Sequence, residues 1–276
     1  MLRKVILFVV LFGLCLAAGC AINPITGENE MMLFPNEQDI AIGKQYAPEV
    51  EKVLKGRIDD QAMQNYIDGV GRKIAQLSHR PDFDYHFVAV KDKSINAISL
   101  PGGYIFVTKG MLLKLKSESQ LAGVLAHEIV HVVARDTANS MSKQMGTDII
   151  LMGAASQTSS QGAMAAAQIT SQILSVKYSR EDERTADLGG LDYMIKAGYD
   201  PNGMVETMRM LESEDQTNPV EFLSTHPSPE SRLSYLNARI QTHYAGGTER
   251  GRVGQEDYER VVLERIKNLP EPTGQQ

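Results

Sequence analysis

The five residues from His127 to His131 constrain this chain more than any other segment, because they read His-Glu-Ile-Val-His. Residues four apart lie on the same face of an α-helix, so the two imidazoles can bind one divalent ion. Glu128 lies between them and can reach a water molecule on that ion. The spacing therefore predicts a zinc-type hydrolytic site, with two His as ligands and Glu128 as the base.

The residues around this segment predict a buried helix. Ser117 is a suitable N-cap, and the apolar residues of 118–135 nearly encircle the helix that would follow. A helix that is apolar on all sides is buried. Imidazole and carboxylate groups inside such a helix need partners, which a metal ion and a water molecule would supply.

A catalytic zinc usually has three protein ligands and one open position. The predicted helix over 179–198 offers Glu181, Glu183 and Asp187 as sources of the third. Glu183 and Asp187 share a helix face, so one can bind metal while the other orients a ligand. Asp187 is the candidate to accept the second N–H of His127. The alternative is that these acids form a solvated, charged surface.

The N-terminus is predicted to be a secretion signal of the lipoprotein type over residues 1–19. A short basic start precedes the apolar run 5–16, and Ala17-Ala18-Gly19 stands before Cys20. Cys20 is therefore the candidate for lipidation, and an ordinary cleaved signal or an uncleaved anchor is the alternative. The other Cys is Cys15, inside the apolar run, so the exported domain gains nothing from disulfides.

Three further regions follow: a polar, turn-rich tether (20–35), the main domain (36–245), and a C-terminal helix with a tail (246–276). The net charge of −6 and the lack of a basic patch with interleaved aromatic residues do not suggest a nucleic-acid binder. Residues 141–175 predict two helices joined by a mobile Ser-rich turn, which is either a flexible cover over the site or a plain loop.

Periodicity predicts the remaining elements of the fold. The helices are predicted over 36–55, 59–78 (capped by Asp59), 110–116, 118–135, 179–198, 201–214, 230–244 and 257–268, and the strands over 85–90, 95–100 and 104–108.

Four separated segments and the start of the tether carry a resemblance to a known family. The chain resembles bacterial peptidases of family M48, over about residues 20–240. The matching segments are Asn96-Ala97 with Pro101-Gly102-Gly103-Tyr104, His127 to His131, Tyr178-Ser179-Arg180 through Glu183 to Asp187, Thr225-His226-Pro227 with Arg232, and Cys20 to Gly27.

The resemblance implies a mostly helical α+β fold of the gluzincin type, with a small antiparallel sheet next to the H-E-x-x-H helix. It also implies one zinc ion per chain on His127, His131 and Glu183, with Glu128 catalytic and Asp187 orienting a ligand. Many relatives carry a His five residues past the motif, where this chain has Asp136. That residue is not a ligand in the family.

The implied reaction is metal-assisted peptide hydrolysis, in which Glu128 takes the proton of the attacking water. Arg232, Tyr178 and His226 are candidates to stabilise the transition state. A second implied site is the strand from Asn96 to Tyr104, with Asn96, Ala97, Gly102 and Gly103. It would hold extended substrate through main-chain hydrogen bonds. The alternative is a purely internal hairpin.

His226 suggests regulation. In some similar periplasmic relatives the matching His binds zinc as a fourth ligand, and a four-coordinate zinc has no position for an activated water. We therefore predict that His226 is a fourth ligand and a latch that inhibits the enzyme. The alternative is an ordinary loop His.

The function predicted from these features is a zinc metalloendopeptidase for unfolded or misassembled envelope proteins. It would face the periplasm on an N-terminal lipid anchor, with the outer membrane favoured because Ala21 rather than Asp follows Cys20. An outer-membrane assembly machine is a candidate partner. The alternative function is a periplasmic chaperone or assembly factor with a structural or latched zinc.

Overall fold

The computed structural model describes residues 20–32, 35–143, 169–229, 231–244 and 251–269. The predicted signal peptide and the predicted Ser-rich turn lie outside these residues. Within the described ranges, no helix has the length and hydropathy needed to cross a membrane.

The chain begins with a hairpin in which β1 (Cys20–Ile22) pairs antiparallel with β2 (Asn29–Met31). Asn23 closes the turn by accepting the N–H of Ile25 at 2.9 Å. Glu30 fastens the hairpin to the domain by accepting a hydrogen bond from Asn139 at 2.6 Å. This part of the predicted tether is therefore folded, because residues that break helices also close hairpins. The domain limits themselves stay a prediction.

Two helices, α1 (Asn36–Val53) and α2 (Gln61–Ala75), follow the hairpin. Asp60 caps α2 by accepting the N–H of Met63 at 3.0 Å. The predicted cap, Asp59, is wrong by one position, since its side chain is exposed and binds Lys91 instead.

A three-stranded sheet with the order β3-β5-β4 lies beside these helices. Its strands are β3 (His86–Val90), β4 (Ala97–Leu100) and β5 (Tyr104–Thr108). The turn Pro101-Gly102-Gly103 joins β4 to β5 directly, with φ of +80° and +96° at the two glycines, so this pair is antiparallel. β3 pairs parallel with β5. The small sheet that the sequence predicts is present, and it is mixed.

The H-E-x-x-H segment lies in α4 (Glu118–Ala134), which follows α3 (Lys109–Lys114). Every residue of α4 is buried. The side chain of Ser117 accepts the N–H of Gln120 at 3.2 Å. The predicted cap and the predicted burial are both confirmed. Because α4 packs against α2, β4 and the later helices, it forms the centre of the fold.

α5 (Arg180–Lys196) packs against α4. Ser179 and Asp182 form a capping box at its start, and Gly198, with φ of +76°, follows its end. The helices pack closely at Gly190, where an added Cβ would lie 3.0 Å from the backbone N of His127. The missing side chain lets α5 place its acids opposite the His of α4.

The remaining elements complete the same core. They are α6 (Asn202–Asp215), the short α7 (Glu221–Thr225), α8 (Arg232–Tyr244), α9 (Gln255–Tyr258), a π-helical turn (Glu259–Leu263) and α10 (Glu264–Lys267). Tyr258, Val262 and Ile266 belong to the hydrophobic core that also contains α4 residues. The predicted C-terminal helix is therefore packed into the main domain.

Candidate metal centre

Four buried side chains converge at the centre of the fold. α4 supplies His127 and His131, α5 supplies Glu183, and His226 follows α7. Each is at most 2% exposed, and one ligand atom from each lies within 4.8 Å of the others. The structure thus brings together the predicted ligands from three separate stretches of chain.

The spacing of these atoms fits a tetrahedral metal ion. The Nε2 atoms of His127 and His131 are 3.1 Å apart, and Glu183 Oε1 lies 3.4 Å from Nε2 of His131. Glu183 Oε2 lies 3.5 Å from Nε2 of His127. Ligand atoms that are each roughly 2.0–2.1 Å from one tetrahedral zinc are about 3.3 Å from one another. The observed distances agree with that value.

The charges around the cluster also fit a cation. Four buried carboxylates (Glu128, Asp136, Glu183 and Asp187) face one buried guanidinium, that of Arg232. Unbalanced charge inside a protein is costly. With neutral imidazoles, a divalent ion would offset most of the negative charge that remains.

Glu128 lies on the same helix with both carboxylate oxygens buried, and neither has a hydrogen-bond partner among the described residues. Nε2 of His226 is 3.7 Å from Oε1, beyond hydrogen-bonding distance. A buried carboxylate normally has donors. The oxygens of Glu128 are therefore free to accept a proton from a water molecule or substrate group.

Two side chains of α8, Arg232 and Tyr235, bind the acids of α5. Asp187 Oδ1 lies 3.1 Å from Nδ1 of His127. Arg232 donates to both oxygens of Asp187 at 2.7 Å and to Glu183 at 3.1 Å, and the Tyr235 hydroxyl also donates to Asp187. Arg232 thus fixes both the predicted ligand and the predicted orienting acid. Tyr235 was not among the predicted residues.

His131 has contacts of its own on the other side of the cluster. Its ring stacks on that of Tyr178, with centroids 3.9 Å apart and planes 10° apart. The Tyr178 hydroxyl is 3.0 Å from that of Thr137. Nδ1 of His131 lies 2.7 Å from Oδ2 of Asp136. Sequence reasoning noted Asp136 as a departure from the family but missed this contact.

His226 is held in the cluster by several bonds. Its Nδ1 lies 2.8 Å from Glu183 Oε1 and 3.4 Å from Nε2 of His127. Its ring stacks on Phe222 with centroids 4.1 Å apart. Phe222 in turn donates its N–H to Ile95 at 3.1 Å. Phe222 was missed because its role depends only on tertiary packing.

The electrostatics of the cluster favour bound positive charge. Burial alone would raise the pKa of Glu183, but His226 and His127 hold it well below its ordinary range. Burial would lower the pKa of His131, but the hydrogen bonds with Asp136 and Glu183 raise it to about 10. Against the effect of burial, Glu183 and Asp187 also raise the pKa of His127, whereas burial lowers the pKa of His226. The two imidazoles of α4 therefore favour positive charge at the place where a metal ion would bind.

The predicted substrate strand lies at the edge of the sheet. The carbonyl of Asn96 accepts the N–H of Thr108 at 3.1 Å, so the backbone N–H of the next residue, Ala97, faces away from β5. Gly102 and Gly103 lie in the turn, with Gly102 against α1 and the Gly103 carbonyl accepting the N–H of His86. Among the predicted strand residues, Ala97 thus directs its backbone N–H away from the sheet, although the residue is buried.

Comparison with known proteins points the same way. The sequence profile of peptidase family M48 matches residues 61–240. The chain is 29% identical over 258 residues to a putative beta-barrel assembly-enhancing protease of Vibrio cholerae, covering 84% of this chain and 52% of that protein. It is 28% identical to the beta-barrel assembly-enhancing protease of Escherichia coli (71% and 42% covered). It is 31% identical to the mitochondrial metalloendopeptidase OMA1 of Schizosaccharomyces pombe (72% and 61%). The chain spans about half the length of these relatives.

Proposed function

Because this chain belongs to peptidase family M48, we propose that it is a zinc metalloendopeptidase acting on unfolded or misassembled envelope proteins. The observation that carries the proposal is the position of Glu128. Its carboxylate is buried without a hydrogen-bond partner among the described residues, next to the convergent ligand atoms. A hydrolytic site needs a free base there, whereas a purely structural site does not.

The metal would be held by His127, His131 and Glu183, with one zinc ion per chain. Mixed imidazole and carboxylate ligands suit zinc, and their spacing supports the assignment. When bound, zinc supplies a Lewis acid that lowers the pKa of a water toward ~7 and polarises the scissile carbonyl.

Glu128 would do the proton transfer. One carboxylate oxygen takes the proton of the attacking water and later delivers it to the leaving amine. Neither oxygen has a donor within the described part of the chain, which supports that role, since an oxygen already bound to a donor would be a poorer base.

Asp187, Arg232 and Tyr178 would support these groups. Asp187 would accept a hydrogen bond from the Nδ1–H of His127, which keeps the Nε2 lone pair of that ring available. The bonds from Arg232 to both acids favour a role in holding ligands over contact with the transition state. Tyr178, stacked on His131, is the better placed of the two to face a substrate.

Substrate would bind along the edge of β4. The outward N–H of Ala97 can pair with an extended peptide, and main-chain bonding of this kind has little side-chain selectivity. Ser99 links this edge to the cluster, because its carbonyl accepts from Thr137, which contacts Tyr178. Unfolded chains are suitable substrates because their backbone is free to pair.

His226 would act as a latch. Its contact with Glu183 at 2.8 Å places it where a fourth ligand would be. In that position it blocks the reaction, and a substrate or partner that moves α7 would release it. The same contact favours the alternative function, a chaperone or assembly factor with a latched zinc.

The setting would be the periplasmic face of a bacterial membrane, with a lipid on Cys20 and the outer membrane favoured. The N-terminal sequence supports export and lipidation. The names of two relatives refer to beta-barrel assembly, so outer-membrane assembly machinery is the partner we propose.

Glu128→Gln tests the function directly. We expect zinc content to stay at wild-type level, while casein cleavage by the purified protein falls by about 10²–10⁴-fold. Removing zinc with a chelator should abolish cleavage, and adding it back should restore it. Undiminished cleavage by the variant would refute the assigned base, and full rescue of client assembly by the variant would favour the chaperone.

A further inference from the structure

We propose that Asp136 is a positioning residue that fixes the imidazole of His131 for metal binding. The proposal rests on the metal site of the proposed function and adds a residue to it. Asp136 Oδ2 lies 2.7 Å from Nδ1 of His131, with both side chains at most 3% exposed. An ionised carboxylate only accepts hydrogen bonds, so Nδ1 carries the proton and Nε2 presents its lone pair to the cluster.

The two His ligands of α4 are thus supported by two different acids. Asp187 approaches His127 from α5, and Asp136 approaches His131 from its own chain segment. Asp187 is also bound by Arg232 and Tyr235. The side chain of Asp136, in contrast, has one hydrogen bond among the described residues, the one with His131. Removing the Asp136 carboxylate should therefore affect His131 alone.

A turn in the backbone makes the contact between Asp136 and His131. In a continuous α-helix, a residue five positions later lies roughly 140° around the axis and could not reach back to the ring. Here α4 ends at Arg135, which adopts the left-handed conformation with φ of 64° and ψ of 31°. The next helical residues, 136–143, start in a new direction that brings the carboxylate to His131.

The turn itself is held by α1. A left-handed conformation is unfavourable for a residue with a Cβ and needs support from its surroundings. Arg135 donates to both oxygens of Asp39, at 2.5 and 3.0 Å, and both side chains are buried. The Asp39–Arg135 pair therefore fixes the direction in which Asp136 leaves the helix.

The central test is the zinc affinity of Asp136→Asn, measured by competition with a chelator. We expect binding 10- to 100-fold weaker than wild type, as for other outer partners of metal-bound His. The cobalt-substituted protein should show a shifted visible absorption spectrum, a change that altered folding alone would not produce. Asp192→Asn, at an exposed acid paired with Arg239, is the matched control and should leave both readouts unchanged.

A second pair of variants tests the turn. Glycine adopts the left-handed conformation without strain and alanine does not. Both substitutions of Arg135 remove the guanidinium, so they differ only in how well they keep the turn. We expect Arg135→Ala to weaken zinc binding more than Arg135→Gly, and equal affinities would overturn the assigned role of the turn.

The outcomes separate this inference from the proposed function. If wild type binds zinc and Asp136→Asn binds it as tightly with an unchanged cobalt spectrum, Asp136 has no positioning role and the function stands. If wild type itself binds no zinc, both proposals fail. Loss of affinity in Asp136→Asn with the cobalt shift supports the inference.

Discussion

Oε1 of Glu183 lies 2.8 Å from Nδ1 of His226, although 43 residues separate them in the chain. The first residue belongs to a helix in the core, and the second follows a short helix at the edge of the cluster. Because α7 has only five residues, it can move more easily than the helices that carry the other ligands. In the latch that we propose, this is the contact that must break.

His226→Ala should increase peptidase activity while zinc is retained. For a latch worth about 1.4 kcal/mol the rise is roughly tenfold. Casein cleavage at fixed zinc concentration measures the change. The double variant with Glu128→Gln should be inactive, which shows that the gain uses the same base. Equal or lower activity of His226→Ala with full zinc content is the result that argues against a latch.

Arg232→Lys should lower both stability and zinc affinity. Lysine keeps the charge, but its single nitrogen cannot reproduce the planar fork of two guanidinium nitrogens that binds both oxygens of Asp187. Because these groups are buried, we expect a loss of about 1–3 kcal/mol in the free energy of unfolding of the metal-free protein. Chemical denaturation measures it.

The chain offers a matched control for this substitution. Arg239 also binds an acid of α5, Asp192, through two nitrogens, but the pair is largely exposed. Arg239→Lys should change stability by less than about 1 kcal/mol. Equal losses in the free energy of unfolding for the two substitutions would mean that burial does not increase the stabilising effect of the Arg232 hydrogen bonds.

Gly190→Ala should disturb the packing of α5 against α4. The added Cβ would lie 3.0 Å from the backbone N of His127 and 3.1 Å from Met204, closer than ordinary contact. We expect a loss of about 1–3 kcal/mol in the free energy of unfolding, with weaker zinc binding. Gly69→Ala, at an exposed helical site with open space, should instead gain about 0.5–1 kcal/mol. A melting curve for each variant decides whether the signs are opposite.

Glu118 should contribute stability that depends on pH. Burial raises its pKa, but hydrogen bonds from Arg252 and Tyr66 outweigh burial and lower the pKa below 4.5. A lowered folded-state pKa stabilises the protein above the unfolded value, and this contribution disappears as pH falls through the folded value. The stability difference between wild type and Glu118→Gln should therefore shrink between about pH 6 and about pH 3.

The control for Glu118 is Glu256→Gln, at an exposed acid in the C-terminal region that also contains Arg252. Its stability should follow that of wild type across the same pH range, because an exposed carboxylate gains little from folding. If the difference for Glu118→Gln stays constant with pH, the hydrogen bonds from Arg252 and Tyr66 do not stabilise the charged form.

Much of the local structure was predictable from local signals. Ser117 and Ser179 cap the helices that the sequence places after them, and the apolar surround of α4 predicted its burial. The predicted cap of α2 was wrong by one residue, because Asp59 and Asp60 are adjacent and either carboxylate can cap a helix. The mixed sheet was not predictable either, because strand order depends on how β3 crosses to β5.

The sequence by itself determined the types of residue at the site, because the four-residue spacing of His127 and His131 is a property of any helix. It also determined that Glu183 and Asp187 share one face. The tertiary structure decided which atoms meet, since Gly190 sets the approach of α5 and the turn at Arg135 brings Asp136 to His131. These contacts either join segments that are distant in the chain or depend on a change of helix direction. Both depend on packing that no local pattern encodes.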